Sequence, residues 1–127
     1  GKVLDKLLVF PYPDRPVPRY KSHPITQVLA DAMLVTMVSG VAPLQAAVPP
    51  KEGVRSSTLL ETSRDGWVDR GGELKNGNAV YEPEIDGPGP ASMALALEVS
   101  QDSGLIKRGV GRMIVLGDGD ILTNNLI

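Results

Sequence analysis

Three observations predict a mixed α/β layer for this chain. The run Met113-Ile114-Val115-Leu116 breaks into Gly117-Asp118-Gly119-Asp120, as a strand does where it ends at a glycine turn. Residues 92–99 alternate, with Met93, Leu95, Leu97 and Val99 on one side and Ser92, Ala94, Ala96 and Glu98 on the other. Ile25, Val28, Leu29 and Met33 recur at helical spacing. A chain of 127 residues has room for one core, so residues 1–127 read as a single domain.

Taken in order, the apolar run of residues 7–10 predicts a short strand that Pro11 and Pro13 end, and Pro16 and Pro18 keep the next stretch extended. His23-Pro24 then opens a helix over 25–33, with Ser22 or Thr26 as candidate caps. Residues 34–41 are apolar and rich in β-branched side chains and are closed by Gly40 and Pro43, which predicts a strand. A further strand is predicted over 56–62, centred on Leu59 and Leu60. Residues 69–90 carry Gly71-Gly72, Asn76-Gly77 and Gly87-Pro88-Gly89-Pro90 and read as one long loop. The alternating strand 92–99 follows, with small residues on one face that would let a helix approach. Residues 101–107 turn the chain into a last strand, 110–116, whose four consecutive apolar residues fit a strand covered on both faces.

Composition narrows the chemistry. A net charge of −2 offers no basic field to hold a phosphate backbone, and 4% aromatics supply few platforms for base stacking, so no nucleic-acid partner is expected. The absence of cysteine removes disulfides, thiolate catalysis and cysteine metal sites. No apolar run approaches the length of a membrane span. The chain opens on Gly1 without methionine and stops just after a strand and turn, which predicts a piece of a larger protein with anchors elsewhere.

Two motifs could carry chemistry. Asp118 and Asp120, one residue apart, could share a hard cation, or they could accept backbone N–H bonds in the turn, with Asn124 doing likewise. The turn reading is the commoner chemistry, and no metal is expected. His23 is the sole histidine, so spacing supports no Ser/His/Asp relay, and beside Pro24 it reads as a structural hydrogen-bonding residue. The lone Trp67 reads as a cap over the edge of the core. A strand leading into D-x-D also resembles the haloacid-dehalogenase phosphotransferases, although Thr123 falls one place late and the motif closes the chain instead of opening it.

Three ordered segments resemble one family. Tyr20-Lys21-Ser22-His23-Pro24-Ile25-Thr26 is similar to its Y-x-x-HPIT element, and Leu59-Leu60-Glu61-Thr62-Ser63-Arg64-Asp65-Gly66-Trp67 to its LL-x-TS-x-x-x-W element. Residues 117–124, GDGDILTN, resemble its GDSDFLSN element, and Gly87-Pro88 with Ala91 to Glu98 its GP-initiated strand. The family is the auxiliary component of ABC-type transport systems, of which the gliding-motility GldG type is the best known. The resemblance implies a partial flavodoxin-like fold, akin to class I glutamine amidotransferases, with a mixed sheet flanked by helices. The chain would be the C-terminal part of a larger extracytoplasmic domain of a membrane-anchored protein. Gly119 and Ile121 stand where the family carries serine and phenylalanine, and no cysteine nucleophile has a counterpart.

A non-enzymatic accessory or binding domain of an ABC-type export or motility system is therefore expected, with no catalytic residue and no cofactor. Tyr20, His23, Trp67, Asp118, Asp120 and Asn124 would gather at one sheet edge as a ligand or partner surface, the acidic glycine corner beside the histidine-proline bend. The transporter's membrane and ATPase subunits are the expected partners, and an open sheet edge predicts a homodimer. The alternative is a small metal-dependent hydrolase or phosphotransfer enzyme using Asp118 and Asp120.

Overall fold

Alternation in sequence becomes two sheets in the computed structural model, which describes residues 1–5, 13–71, 79–100 and 109–119. The elements are β1 (Lys2–Leu4), β2 (Arg19–Tyr20), α1 (Pro24–Asp31), β3 (Val54–Glu61), β4 (Trp67–Asp69), β5 (Gly87–Pro88), β6 (Ser92–Ser100) and β7 (Val110–Leu116). They form a four-stranded sheet ordered β2-β3-β6-β7 and a three-stranded sheet ordered β1-β4-β5. The expected strand over 7–10 lies outside the described residues.

Every ladder in both sheets is antiparallel. This corrects the expectation of a mixed sheet flanked by helices: α1 is the one described helix, and the small α/β fold is mostly strand. The reason is partly one of reach, because the stretch 101–109 between β6 and β7 is shorter than the dozen or so residues that a parallel crossover needs.

Strand pairing sorts the side chains by face. Thr58, Leu95 and Val115 stand opposite one another across three strands, as do Ser56, Leu97 and Met113, so these six side chains share a face. Tyr20, Leu60, Ala94 and Leu116 form a row on the other face. A bulge in β3 between Thr58 and Leu60 breaks the alternation, and both Leu59 and Leu60 are buried as a result. They join Val3, Val38, Val41, Met93, Ala94 and Ala96 in the main core, against which Tyr20, Val68 and Leu116 pack. A smaller cluster of Leu4, Trp67 and Ala79 lies on the second sheet.

Residues 34–41 are not a strand. The chain there makes single bonds to loops, Val38 N–H to Pro16 O at 3.2 Å and Gly40 N–H to Asp14 O at 3.2 Å, while Val41 O accepts from Val3 N–H at 2.8 Å. Its β-branched composition signals burial of Val38 and Val41 without ladder pairing. The expected single loop over 69–90 likewise contains β5 and receives the end of β4.

Helix α1 starts and stops through local chemistry. His23 is its N-cap, in place of Ser22 or Thr26: extended at φ −159° and ψ 145°, it accepts a bond from Ile25 N–H on Nδ1 at 3.1 Å. At the other end Met33 N–H reaches Ala30 O and Leu34 N–H reaches Leu29 O, both at 3.0 Å, with Met33 left-handed at φ 52°. The expected apolar face is open to solvent, Val28 being 72% exposed, and the one buried helix residue is Thr26. Thr26 Oγ1 donates to Lys21 O at 2.5 Å, which ties the helix to the end of β2.

Strand β7 also departs from expectation. It is the edge of its sheet among the described strands, and Met113 and Ile114, on opposite faces, are 59% and 51% exposed. The expected cover on both faces is absent from the described residues. No described helix is long and apolar enough to cross a membrane.

Candidate functional site

Among the described residues, the two corners of the family-like set lie apart. Tyr20 and Leu116 stand at opposite edges of the same row, three strand steps or about 14 Å apart. From there the chain leaves Tyr20 toward Leu59, with Lys21 N–H bonding Leu59 O at 2.9 Å, and enters the His23 bend. Beyond Leu116 it runs the other way, past Met93, to Asp118. The acidic corner and the histidine-proline bend therefore diverge, which corrects the expectation that they lie side by side. Asp120 and Asn124 lie outside the described residues.

Tyr20, His23 and Trp67 have structural work, His23 as the cap of α1. Tyr20 packs on the main core, and its hydroxyl shares a hydrogen bond with Thr36 Oγ1. Trp67 is buried against Leu4 and meets Tyr81 edge to face, with ring centroids 6.3 Å apart. Gly117, which leads into the half-buried Asp118, donates to Met93 O at 3.0 Å and accepts from Ala42 N–H at 2.9 Å. A Cβ on Gly117 would fall 2.1 Å from Ala42 O, so close backbone approach explains the glycine.

The Leu59-to-Trp67 element is a hydrogen-bonded junction between the sheets. The buried carboxylate of Asp5 accepts from Ser63 N–H and Ser63 Oγ, both at 2.7 Å. Buried Thr62 Oγ1 accepts from Ala91 N–H at 2.9 Å, and a Cβ on Gly66 would come within 2.4 Å of Thr62 Cβ.

Beside that junction the two sheets part and leave a cleft of about 700 Å³. Ser56, Thr58, Ser92 and Leu95 supply the four-stranded side, and Val68, Arg70, Gly87 and Pro88 the three-stranded side. Thr58 Oγ1 and Ser92 Oγ are 3.0 Å apart and hydrogen-bonded. A strap over 42–51 makes the remaining wall, held at one end by Ala42 N–H to Gly117 O and Leu44 N–H to Ser92 O, both at 2.9 Å. At its other end Val54 N–H bonds Lys51 O at 3.0 Å.

Asp86 supports the three-stranded wall. Burial pushes its carboxyl upward, but backbone donors from Glu82, Arg70 and Gly71 and the Arg70 charge outweigh that, leaving it below the ordinary carboxylate range. The bonds from Glu82 N–H and Arg70 N–H measure 2.8 and 3.0 Å.

Sequence reasoning missed this site. Ser56 and Thr58 fell within the strand predicted over 56–62 from its apolar centre, but Arg70 sat in a stretch read as loop, and its placement depends on long-range pairing of β4 with β1 and β5. The described lining offers a guanidinium and hydroxyls and contains neither histidine nor carboxylate, a set suited to holding a ligand more than to moving its protons. No family model, curated protein or solved structure matches the chain.

Proposed function

We propose that this chain is a non-enzymatic binding domain of an ABC-type export or gliding-motility transport system, acting at the extracytoplasmic face of the membrane as part of an anchored protein. The ordered HPIT-like, LL-x-TS-like and GD-x-D-like segments support the transport assignment. The cleft at the junction of the sheets carries the binding assignment, because it presents Arg70 and three hydroxyls together in one concave site. A flavodoxin-like kinship would require parallel pairing, and the described ladders are antiparallel, so the proposal rests on motif order and cleft chemistry.

The test is co-purification of the membrane-anchored parent with the transporter's membrane and ATPase subunits, identified by mass spectrometry. Capture of both subunits is the expected result. Failure to capture either from native membranes would overturn the transport assignment, and metal-dependent turnover of phosphate esters lost in Asp118→Asn would replace this reading with the hydrolase alternative.

A further inference from the structure

The cleft does not end at the sheet junction. It continues into a groove of about 490 Å³, sharing Leu44, Ser56 and Leu95 with it. Beyond these residues the floor is Val54, Leu97 and Val115, on the face already fixed by strand register. From Ser92 to Leu97 the path follows β6 for five residue steps, roughly 17 Å at about 3.3 Å each. One end is thus polar and the other apolar.

Charge singles out the sign of an occupant. The chain carries a net charge of −2, yet the charged side chains among the described lining of cleft and groove are Arg70 and Lys51, both cationic. Arg70 lies at the hydroxyl-rich end, its guanidinium over Gly87, where a Cβ would come within 3.3 Å of Nη2. A planar fork beside hydroxyls suits a carboxylate. Lys51 sits on the exposed strap at the apolar end.

Backbone pairing argues against a peptide occupant. Of the floor strands, β3 and β6 are interior to their sheet and β7 directs its free N–H and C=O groups sideways in the plane of the sheet, so none offers a ladder to an occupant lying on this face. A peptide lying on Leu95, Leu97 and Val115 would bury unpaired polar groups, whereas an alkyl chain has none to bury.

We propose that the groove binds a free single-chain carboxylate amphiphile, with its head at Arg70, Thr58 and Ser92 and its chain along Leu95, Leu97 and Val115. This rests on the binding reading above and specifies its ligand. Dodecanoate below its micellar concentration is the probe, titrated calorimetrically against the chain. Saturable one-to-one binding is expected, weakened about tenfold or more by Arg70→Gln through loss of the charge-assisted bonds and little changed by Lys51→Gln. Leu97→Glu should abolish binding, and acetate should not bind.

Equal affinity for uncharged dodecyl maltoside, no effect of Arg70→Gln, or binding to anionic vesicles without binding to free dodecanoate would overturn the proposal. A nitroxide-labelled fatty acid supplies a readout in the unmutated chain. It should broaden the Leu97 and Val115 methyl signals, and broadening confined to the open helix residues Ile25 and Val28 would also overturn it. The titration contains no transporter subunit: absent dodecanoate binding with subunit capture intact rejects the ligand alone, and lost capture with binding intact rejects the transport assignment alone.

Discussion

The bond that His23 Nδ1 accepts from Ile25 N–H needs a lone pair on that nitrogen, so the neutral ring carries its proton on Nε2. His23→Ala is expected to lower stability by about 1 kcal/mol, with His23→Ser or His23→Asn restoring most of it, as read from urea midpoints at constant m-value. Met33 makes the opposite prediction. It holds a left-handed conformation at φ 52° in which its Cβ is crowded, and its side chain is 87% exposed, so little packing would be lost on truncation. Met33→Gly should therefore raise stability by about 0.5–1 kcal/mol in the same assay, even after glycine's greater unfolded-state entropy is counted. A destabilised variant would show that the Met33 side chain contributes packing after all.

Strand β7 sets the element-scale behaviour. Gly117 N–H bonds Met93 O, so by alternation along the ladder Val115, Met113 and Gly111 direct their backbone groups toward β6, and Leu116, Ile114, Arg112 and Val110 direct theirs outward. A second copy could add antiparallel about Met113, which sets Arg112 opposite Ile114 and keeps the two arginines from facing each other. Analytical ultracentrifugation should show a concentration-dependent dimer, and Ile114→Pro, which removes an outward N–H, should leave a monomer with its own ladder intact. Persistence of the dimer in that variant would place the contact elsewhere. β7 also shows what could be read in advance. Its bounds at Val110 and Leu116 followed from an apolar run ending at a glycine turn, the strand around Leu59 from its apolar centre, and the strand around Leu95 from period-two patterning. Exposure did not follow, because an apolar run reports what a strand could bury and not what lies over it. Residues 34–41 failed for a related reason, since β-branched side chains suit a buried coil pinned by Val38 and Val41 as well as a ladder. The cleft was hidden because Arg70 meets Ser92 and Thr58 only after two separate sheets have formed.

At the scale of the whole molecule, a chain with 4% aromatics fastens its strand ends with polar pins: Asp5 to Ser63 between the sheets, Thr62 to Ala91 where β3 ends and β6 begins in the four-stranded sheet, and Asp86 to Arg70 and Glu82 beside the three-stranded sheet. Asp86 makes that design sensitive to acid. Its folded-state pKa is depressed, so its contribution is present above the unfolded value of about 3.9 and is lost as pH falls through the lower folded value. Thermal unfolding followed downward from pH 5 should show a steeper fall for the unmodified chain than for Asp86→Asn, which starts less stable and lacks this proton linkage. Equal slopes would assign the acid response to other carboxylates. The pins also determine which amides stay protonated when the protein is placed in deuterated solvent. Ser63, Ala91, Arg70 and Glu82 all lie outside the named strands, yet each N–H is held by a side-chain oxygen, so their exchange should be as slow as that of β3 and β6, and the slow set should mark the pinned strand ends of both sheets.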